Sequence, residues 1–391
     1  MSKEYSYLFR SDIFNSKLVD TQFEKRGNWH KVDKSYTTTI DFLYDGYVDN
    51  TDFYGIKSIL KNWTNDDKRV ITNKLNMYEN MKNLPGAHKY LPKTFVIDIK
   101  HKNPNYLDKF KYLFTSGKPY ICKAVAAGAG THIINTNNFA IFKAFMIPYF
   151  AIIKRYPKSQ KNLWVLQEYI TDPLLINQRK FHIRSLFLYQ SGKKQSYYMN
   201  LFKCALAKKP YVTGDWLNKD IHDTHFHKQQ GLMFPDETPE IPTDKAQYIL
   251  AQINKIYTDL LSVIHAGCYS ESKYCYELLG SDFMVTSDYT VKLIEVNDNI
   301  GLSFTEENYR KILSGILTLV VDKYFPPKYP QPISKDFIQI KSHKNTTTHT
   351  IKKNTQKHTK TAKPQTIKKN TQNHKNTQNH KITKSQKHKN R

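Results

Sequence analysis

The segment SDFMVTSDYTVKLIEVND, from Ser281 to Asp298, constrains the fold more than any other stretch of the chain. It contains two strand-like runs around a turn near Asp288, the pattern of a β-hairpin. Closure about Asp288 and Tyr289 places Asp282 directly opposite Glu295. Glu295 and Asn297 stand two apart on one strand, so they project from the same face. Three oxygen-bearing side chains then converge. Such a set suits a hard cation that keeps part of its water shell and binds phosphate oxygens, as Mg2+ does. A surface hairpin with ordinary charges is the alternative, but Glu295 interrupts the apolar run VKLIEV, where an unpaired carboxylate costs free energy. The metal reading is therefore the expectation.

Three further segments carry chemistry. In RKFHIRSLFLY, Lys180, His182 and Arg184 alternate with Phe181 and Ile183, so two fixed cations share one strand face. Arg184 offers a planar fork for phosphate or carboxylate and Lys180 a point charge; a solvated basic face explains the same pattern. In YICKAVAAGAGTHI a strand ends in Lys123 and a loop with Gly128 and Gly130 follows, whose backbone amides can approach phosphates closely. No G-K-[ST] follows it and G-x-G-x-x-G is incomplete, so it is neither a Walker loop nor a dinucleotide fingerprint. LWVLQEYI ends in Gln167 and Glu168, a polar edge that could meet a base or ribose or be plain strand-end polarity. HDTHFH brings His222, His225 and His227 together, but no Cys or acid completes a ligand set, and a metal site is not expected there.

Around these segments, strand-like runs alternate with helical ones, including AIFKAFMIPYFAIIK and AQYILAQINKIYTDLLSVIHAG. The expected class is α+β, with mixed sheets and helices. Residues 1–70 read as an N-terminal subdomain of unassigned role and 71–330 as the catalytic domain, with a stop at FPPKYPQP. Residues 331–391 read as a tail. From Lys341 to Arg391 there are fourteen lysines, one arginine and no acid, and TIKKNTQ recurs at Thr350–Gln356 and Thr366–Gln372. So few apolar groups cannot offset ordering entropy, and the tail is expected to be disordered. The formal net charge is +26, and removing the fifteen tail cations leaves +11 for residues 1–340. That balance points to an acidic partner: nucleic acid, an anionic membrane or an acidic protein segment. The four cysteines form no C-x-x-C pair and no disulfide framework, which favours a reducing compartment. The N-terminus lacks the apolar core of a signal peptide and no apolar run approaches the length of a transmembrane segment, so a soluble, cytoplasmic protein is expected; a monomer is expected as well.

Taken in order, KAVAAGAGTHI, LQEYITDPLLINQRKFHIR, WLNKDIH, DFMV and IEVN resemble the motifs of the tubulin-tyrosine-ligase-like family, over roughly residues 70–325. The resemblance implies an ATP-grasp fold and an ATP- and Mg2+-dependent carboxylate-amine ligase acting through an acyl phosphate. It makes Lys74 and Lys123 nucleotide-phosphate contacts, with Gln167, Glu168, Tyr169 and Ile170 lining the adenine pocket and Gly128 and Gly130 in the phosphate loop. It makes Lys180, Arg184 and Lys203 the catalytic cations, His182 a nucleotide-site residue, and Asp282, Glu295 and Asn297 the Mg2+ ligands. The implied partners are ATP, a free amino acid (glutamate favoured, glycine or tyrosine as alternatives) and an acidic protein tail such as that of tubulin, with possible microtubule association. Three positions depart from the family pattern. Ala124 replaces a proline, Glu168 a lysine, and His182 the aspartate of an Asp-Ile-Arg motif, which removes an anionic acceptor from the site. A degenerate scaffold that binds nucleic acid or an anionic surface is the alternative function.

Overall fold

A computed structural model describes residues 3–11, 14–33, 35–36, 38–45, 57–63, 65–125, 132–155, 162–191, 195–224, 231–264, 274–298 and 304–340. The N-terminal elements are β1 (Tyr5–Arg10), α1 (Ser16–Glu24), β2 (Trp29–Lys31), β3 (Ile40–Asp45), β4 (Ser58–Asn62), α2 (Asn65–Thr72), α3 (Lys74–Met81) and α4 (Ala87–Tyr90). There follow β5 (Thr94–Asp98), a 3-10 stretch (Pro104–Phe114), β6 (Tyr120–Ala124), β7 (Ile133–Thr136), α5 (Phe139–Arg155), β8 (Leu163–Glu168) and β9 (Leu175–Ile176). The remainder is β10 (Arg179–Gln190), β11 (Gln195–Leu206), α6 (Lys219–His222), β12 (Gly231–Phe234), α7 (Thr243–Val263), β13 (Tyr274–Val285), β14 (Val291–Asn297), α8 (Glu306–Ile316) running into a π-helical turn (Leu317–Val321), and β15 (Phe337–Gln339).

The strands form two sheets, so the expected mixed α+β class holds. The larger has the order β12-β11-β10-β13-β4-β3-β1-β2, with β14 on β13, β15 on β11 and β9 on β10. One of its faces is sealed by α7, whose buried Ala246, Ile249, Ile253, Ile256, Leu260 and Val263 recur at helical spacing over Ile183, Phe187, Leu279 and Phe283. The other packs Leu186, Leu188, Tyr276 and Leu278 on Ile312, Leu313 and Ile316 of α8. The smaller sheet, β5-β8-β6-β7, is antiparallel throughout. It carries α5 through Phe142, Met146, Phe150 and Ile153.

Strands β1–β4 run parallel to one another, and β4 pairs in parallel with β13. The segment expected as an N-terminal subdomain thus continues the same sheet as the candidate site strands, within one unit, Met1–His343. The ordered chain also passes the expected stop at residue 330. Phe337 and Ile340 are buried, β15 pairs with Tyr197–Met199, and a Cβ on Gly315 would come 2.1 Å from the Phe337 ring. Residues 341–391 lie outside the described residues, as does the expected disorder of the tail. Among the described residues no helix is long and apolar enough to cross a membrane. Cys122 and Cys204 are buried free thiols, but Cys275 is disulfide-bonded, which weakens the compartment argument drawn from the cysteines.

Helix α2 is pinned to the sheet by a buried ion pair, Lys68 Nζ to Glu277 Oε2 at 3.4 Å, and the same carboxylate oxygen accepts the Trp63 amide at 3.2 Å. Burial raises the Glu277 pKa from 4.5 to about 7, against the lowering by Lys68. A folded pKa above the unfolded one means that folding favours the neutral acid. Its contribution to stability is full below about 4.5 and is lost as pH rises through about 7. Lys68→Met removes the cation that tolerates the charged form, so the variant should lose at least about 1 kcal/mol more stability at pH 8 than at pH 5. Equal losses at the two pH values, measured by denaturant unfolding, would show that the pair does not control this carboxyl.

Candidate active site

The expected hairpin forms, and its register has two parts. Thr286 N donates to Thr290 O at 2.9 Å across the loop Ser287-Asp288-Tyr289, with Tyr289 at φ +66°. Val285, Met284 and Phe283 pair with Val291, Lys292 and Leu293, and then Ile294 is an extra residue, a β-bulge, beyond which Asp282 pairs with Glu295. The expected pair is present, but by a different route: the loop holds three residues where closure about Asp288 and Tyr289 has two, and the bulge restores the register. A one-residue slip would have turned Glu295 toward the opposite face of the sheet.

Asp282 is 1 % exposed and lies between two partners in register, Arg184 on β10 and Glu295 on β14. Lys203 on β11 stands beside Arg184, so the residues Lys203, Arg184, Asp282 and Glu295 form one row across four strands on one face. Arg184 grips Asp282 through both branches, Nε to Oδ1 and Nη2 to Oδ2, the latter at 2.8 Å. Gly280 leaves room for that side chain, since a Cβ there would lie 3.1 Å from the Arg184 Cδ. Asn297 Nδ2 donates to Asp282 Oδ2 at 3.1 Å and Glu295 Oε1 at 3.2 Å. The three side chains expected to converge do so.

Asp282 and Glu295 form one wall of a cavity of about 370 Å3. Lys180 and His182 line it from β10, Ile121, Lys123 and Gln167 from the smaller sheet, and Lys74 from the start of α3. The cavity thus lies between the two sheets. Asn73 caps α3, accepting from the Leu75 and Asn76 amides, which sets Lys74 at the helix start with its Nζ 3.3 Å from Glu295 Oε2. Lys123 Nζ donates to Gln167 Oε1 at 3.4 Å, while Gln167 Nε2 donates to Thr94 Oγ1 at 2.9 Å. His182 Nδ1 meets Thr224 Oγ1 at 2.6 Å, and its Nε2 lies 3.6 Å from Asp282 Oδ1. Lys180 Nζ donates to the Tyr169 hydroxyl at 2.6 Å and to the His222 carbonyl at 3.2 Å.

Gathered cations of this kind are held at a cost. Burial and then repulsion from Lys123 bring Lys180 down to about 7. Burial brings Lys123 to about 8, with Lys74 pushing the same way and Glu295 opposing. A polyanion in the cavity would relieve both.

Glu168, Tyr169 and Ile170 also line the cavity. Gly128 and Gly130 lie outside the described residues, as do His225 and His227. Lys203 is buried in the same row and, like Arg184 and Asn297, is not among the cavity-lining residues. Its side chain lies across Gly231, where a Cβ would come 2.0 Å from Lys203 Cε, and its Nζ sits 5.6 Å from the Phe304 ring centre. Trp216, Thr224, Met284 and Ile294 line the cavity without having been expected to. Met284, two from Asp282, could have been found from the hairpin's alternation; Ile294 reaches the cavity only through the bulge, and Trp216 and Thr224 arrive from a segment remote in sequence. Among the described residues no three His, Cys, Asp or Glu side chains group as a metal site. The hairpin supplies two carboxylates and one amide, hard oxygen donors that fit a cation whose remaining ligands are water and phosphate oxygens.

The model of the "Tubulin-tyrosine ligase family" matches residues 61–333. A probable tubulin–tyrosine ligase, PBY1 of Saccharomyces cerevisiae, is 29% identical over 160 residues, 36% of this chain and 21% of that protein. Protein polyglycylase TTLL10 of Macaca fascicularis is 24% identical over 262 residues, 60% of this chain and 41% of that protein. The chain spans less than half the length of either relative. Among solved structures, the C-terminal domain of K. lactis Pby1, described as an ATP-grasp enzyme interacting with the mRNA decapping enzyme Dcp2, superposes with a TM-score of 0.61 at 19% identity. That match covers 88% of this chain and 100% of the other, and the fold is that of ATP-grasp proteins.

Proposed function

Since the chain belongs to the tubulin-tyrosine ligase family, we propose that its inter-sheet cavity binds ATP and that the protein joins an amino acid to a carboxylate of an acidic protein segment. The observation that carries this reading is the facing of two opposed acids, Asp282 and Glu295, by three lysines, Lys74, Lys123 and Lys180, around one cavity. Acids alone would hold a cation and lysines alone an anion; the two together suit a metal-bound triphosphate.

In this mechanism Gln167, Glu168, Tyr169 and Ile170 line the base end, and Lys74, Lys123 and Lys180 neutralise phosphate oxygens. Asp282, Glu295 and Asn297 would hold Mg2+, which would supply charge neutralisation at the phosphates. The acceptor carboxylate attacks the γ-phosphorus and ADP leaves. The resulting acyl phosphate is attacked by an amine, releasing phosphate and leaving an amide bond. Arg184 fixes Asp282, and Lys203 continues the cationic row behind it. The chain contributes position and charge rather than a covalent nucleophile. The acceptor of choice is an acidic tail such as tubulin's and the favoured donor is glutamate, with glycine and tyrosine as alternatives. Incubating the full chain with ATP, Mg2+, each labelled amino acid and tubulin tests this. ATP-dependent incorporation is expected, and absence of both incorporation and ATP turnover would overturn it.

The tail provides a second test. Deleting residues 341–391 removes fifteen cations and no acid, so attachment to a long acidic partner should weaken, with a higher KM and little change in kcat on a short peptide. The wild-type advantage should shrink as salt rises, because exposed charges are screened within about 10 Å at 0.1 M ionic strength. Truncation that leaves affinity for acidic partners untouched would remove the charge argument. A scaffold reading is favoured by one observation, His182 in place of the family's aspartate; it predicts tight, salt-sensitive nucleic-acid binding without ATP turnover.

A further inference from the structure

His222 has a place in the structure other than that of a metal ligand. Its Nε2 lies 2.8 Å from the Asp215 carbonyl oxygen, which can only accept, so Nε2 carries the proton. In the neutral ring Nδ1 is then an acceptor, and at 2.7 Å it takes the proton of the Tyr169 hydroxyl. With that proton committed, the Tyr169 oxygen presents lone pairs to Lys180, whose Nζ is 2.6 Å away. Lys180 donates a second time to the His222 carbonyl at 3.2 Å, which leaves the third N–H of the ammonium for the cavity that Lys180 lines. The imidazole plane is fixed by Trp216, stacked at 5.5 Å and 29°, and by Tyr211, edge-on at 5.7 Å.

We propose that His222 is a positioning residue for the nucleotide: acting through Tyr169, it orients the Lys180 ammonium so that one N–H points at an anionic oxygen of the bound nucleotide. The carbonyl at Asp215 sets the tautomer of the ring and with it the direction of the Tyr169–His222 hydrogen bond. Without the ring, the Tyr169 hydroxyl is free to turn its proton toward Lys180, and the ammonium loses a fixed acceptor. Burial and the charge of Lys180 bring His222 down to about 4, so the ring is neutral at ordinary pH, as the arrangement requires. Tyr169 and His222 are 53 positions apart and meet only because α6 folds back beside β10.

This inference rests on the ATP reading, and its test separates the two. In histidine-15N spectra of the full chain, with the His222 signals identified by their loss in His222→Asn, the ring should be in the Nε2–H form and should not titrate near pH 6.5. Tyr169→Phe should shift the Nδ1 signal alone. By calorimetry, His222→Phe should bind ATP about ten-fold more weakly, the loss of one charge-assisted hydrogen bond. His222→Asn, which keeps an acceptor at the Nδ1 position, should recover most of that affinity, and the Tyr169→Phe, His222→Phe double variant should bind no worse than His222→Phe. A ring with its proton on Nδ1, or a folded His222→Phe with wild-type ATP affinity, overturns the proposal. Should His222→Phe not fold, wild-type affinity in Tyr169→Phe overturns it equally. A wild-type chain that binds no ATP defeats the nucleotide reading, whereas the tautomer, which needs no ligand, decides the hydrogen-bond chain.

Discussion

Glu295→Gln is expected to lower ATP turnover and amino-acid ligation by a factor on the order of 10^2 to 10^3 while the protein melts within a few degrees of the wild type. The carboxylate faces Asp282 across the hairpin, meets Lys74 at 3.3 Å and accepts from Asn297 at 3.2 Å. A glutamine keeps the shape, and although its single carbonyl oxygen can accept from only one of the two donors, the hairpin, held by its backbone ladder and by Leu293 and Val296 in the core, stays formed. What it loses is one of two negative charges offered to a divalent cation, and hard cations depend on ligand charge. Lys74 and Lys123 also lose a counter-charge, so apparent affinity for Mg2+ should fall more than that for free ATP. The measurements are Mg2+-dependent ATP hydrolysis, ligation and the melting temperature. Wild-type turnover at ordinary Mg2+ concentration would remove Glu295 from the metal site.

How far the sequence foretold this site depended on the range of the interactions. Alternation over Lys180–Arg184 and the spacing of Glu295 and Asn297 are local, and the side chains fall on the faces that a period of two dictates. The Asn73 cap, one residue before Lys74, was equally local. The bulge at Ile294 was not legible, because an isoleucine in an apolar run carries no mark of being left unpaired. Joining of β1–β4 to β13 was missed for a different reason: parallel pairing of Leu60 with Tyr274 spans more than two hundred residues, and nothing near either partner announces it. The Lys180–Tyr169–His222 chain is hidden in the same way. Its members are ordinary residues until α6 places them together. The stop at FPPKYPQP was legible as a helix end, but the return of Phe337 to cover Gly315 was not.

Arg184→Met should destabilise the protein by about 3–5 kcal/mol, the usual consequence of stranding one partner of a buried ion pair. Asp282 is 1 % exposed and receives both branches of the guanidinium, so its charge would be left with the Asn297 amide and His182 at 3.6 Å. Arg184→Lys should lose less, because the charge survives although the fork does not. Pairing Arg184→Met with Asp282→Asn should recover much of the lost stability by removing the stranded charge, yet leave Mg2+-dependent turnover absent, which separates the structural role of the pair from the chemistry of the acid. The metal reading adds a sharper expectation. If a divalent cation binds at Asp282 and Glu295, it supplies the positive charge that Arg184→Met removes, so Mg2+ with ATP should raise the melting temperature of Arg184→Met more than that of the wild type. The sign follows from linkage: a ligand stabilises the folded state more the tighter it binds, as the logarithm of its affinity, and a carboxylate relieved of its arginine has more to gain from the cation. An Arg184→Met protein whose melting temperature ignores Mg2+ and ATP, while the wild type responds, would place the cation elsewhere and leave Asp282 as a structural acid held by its arginine.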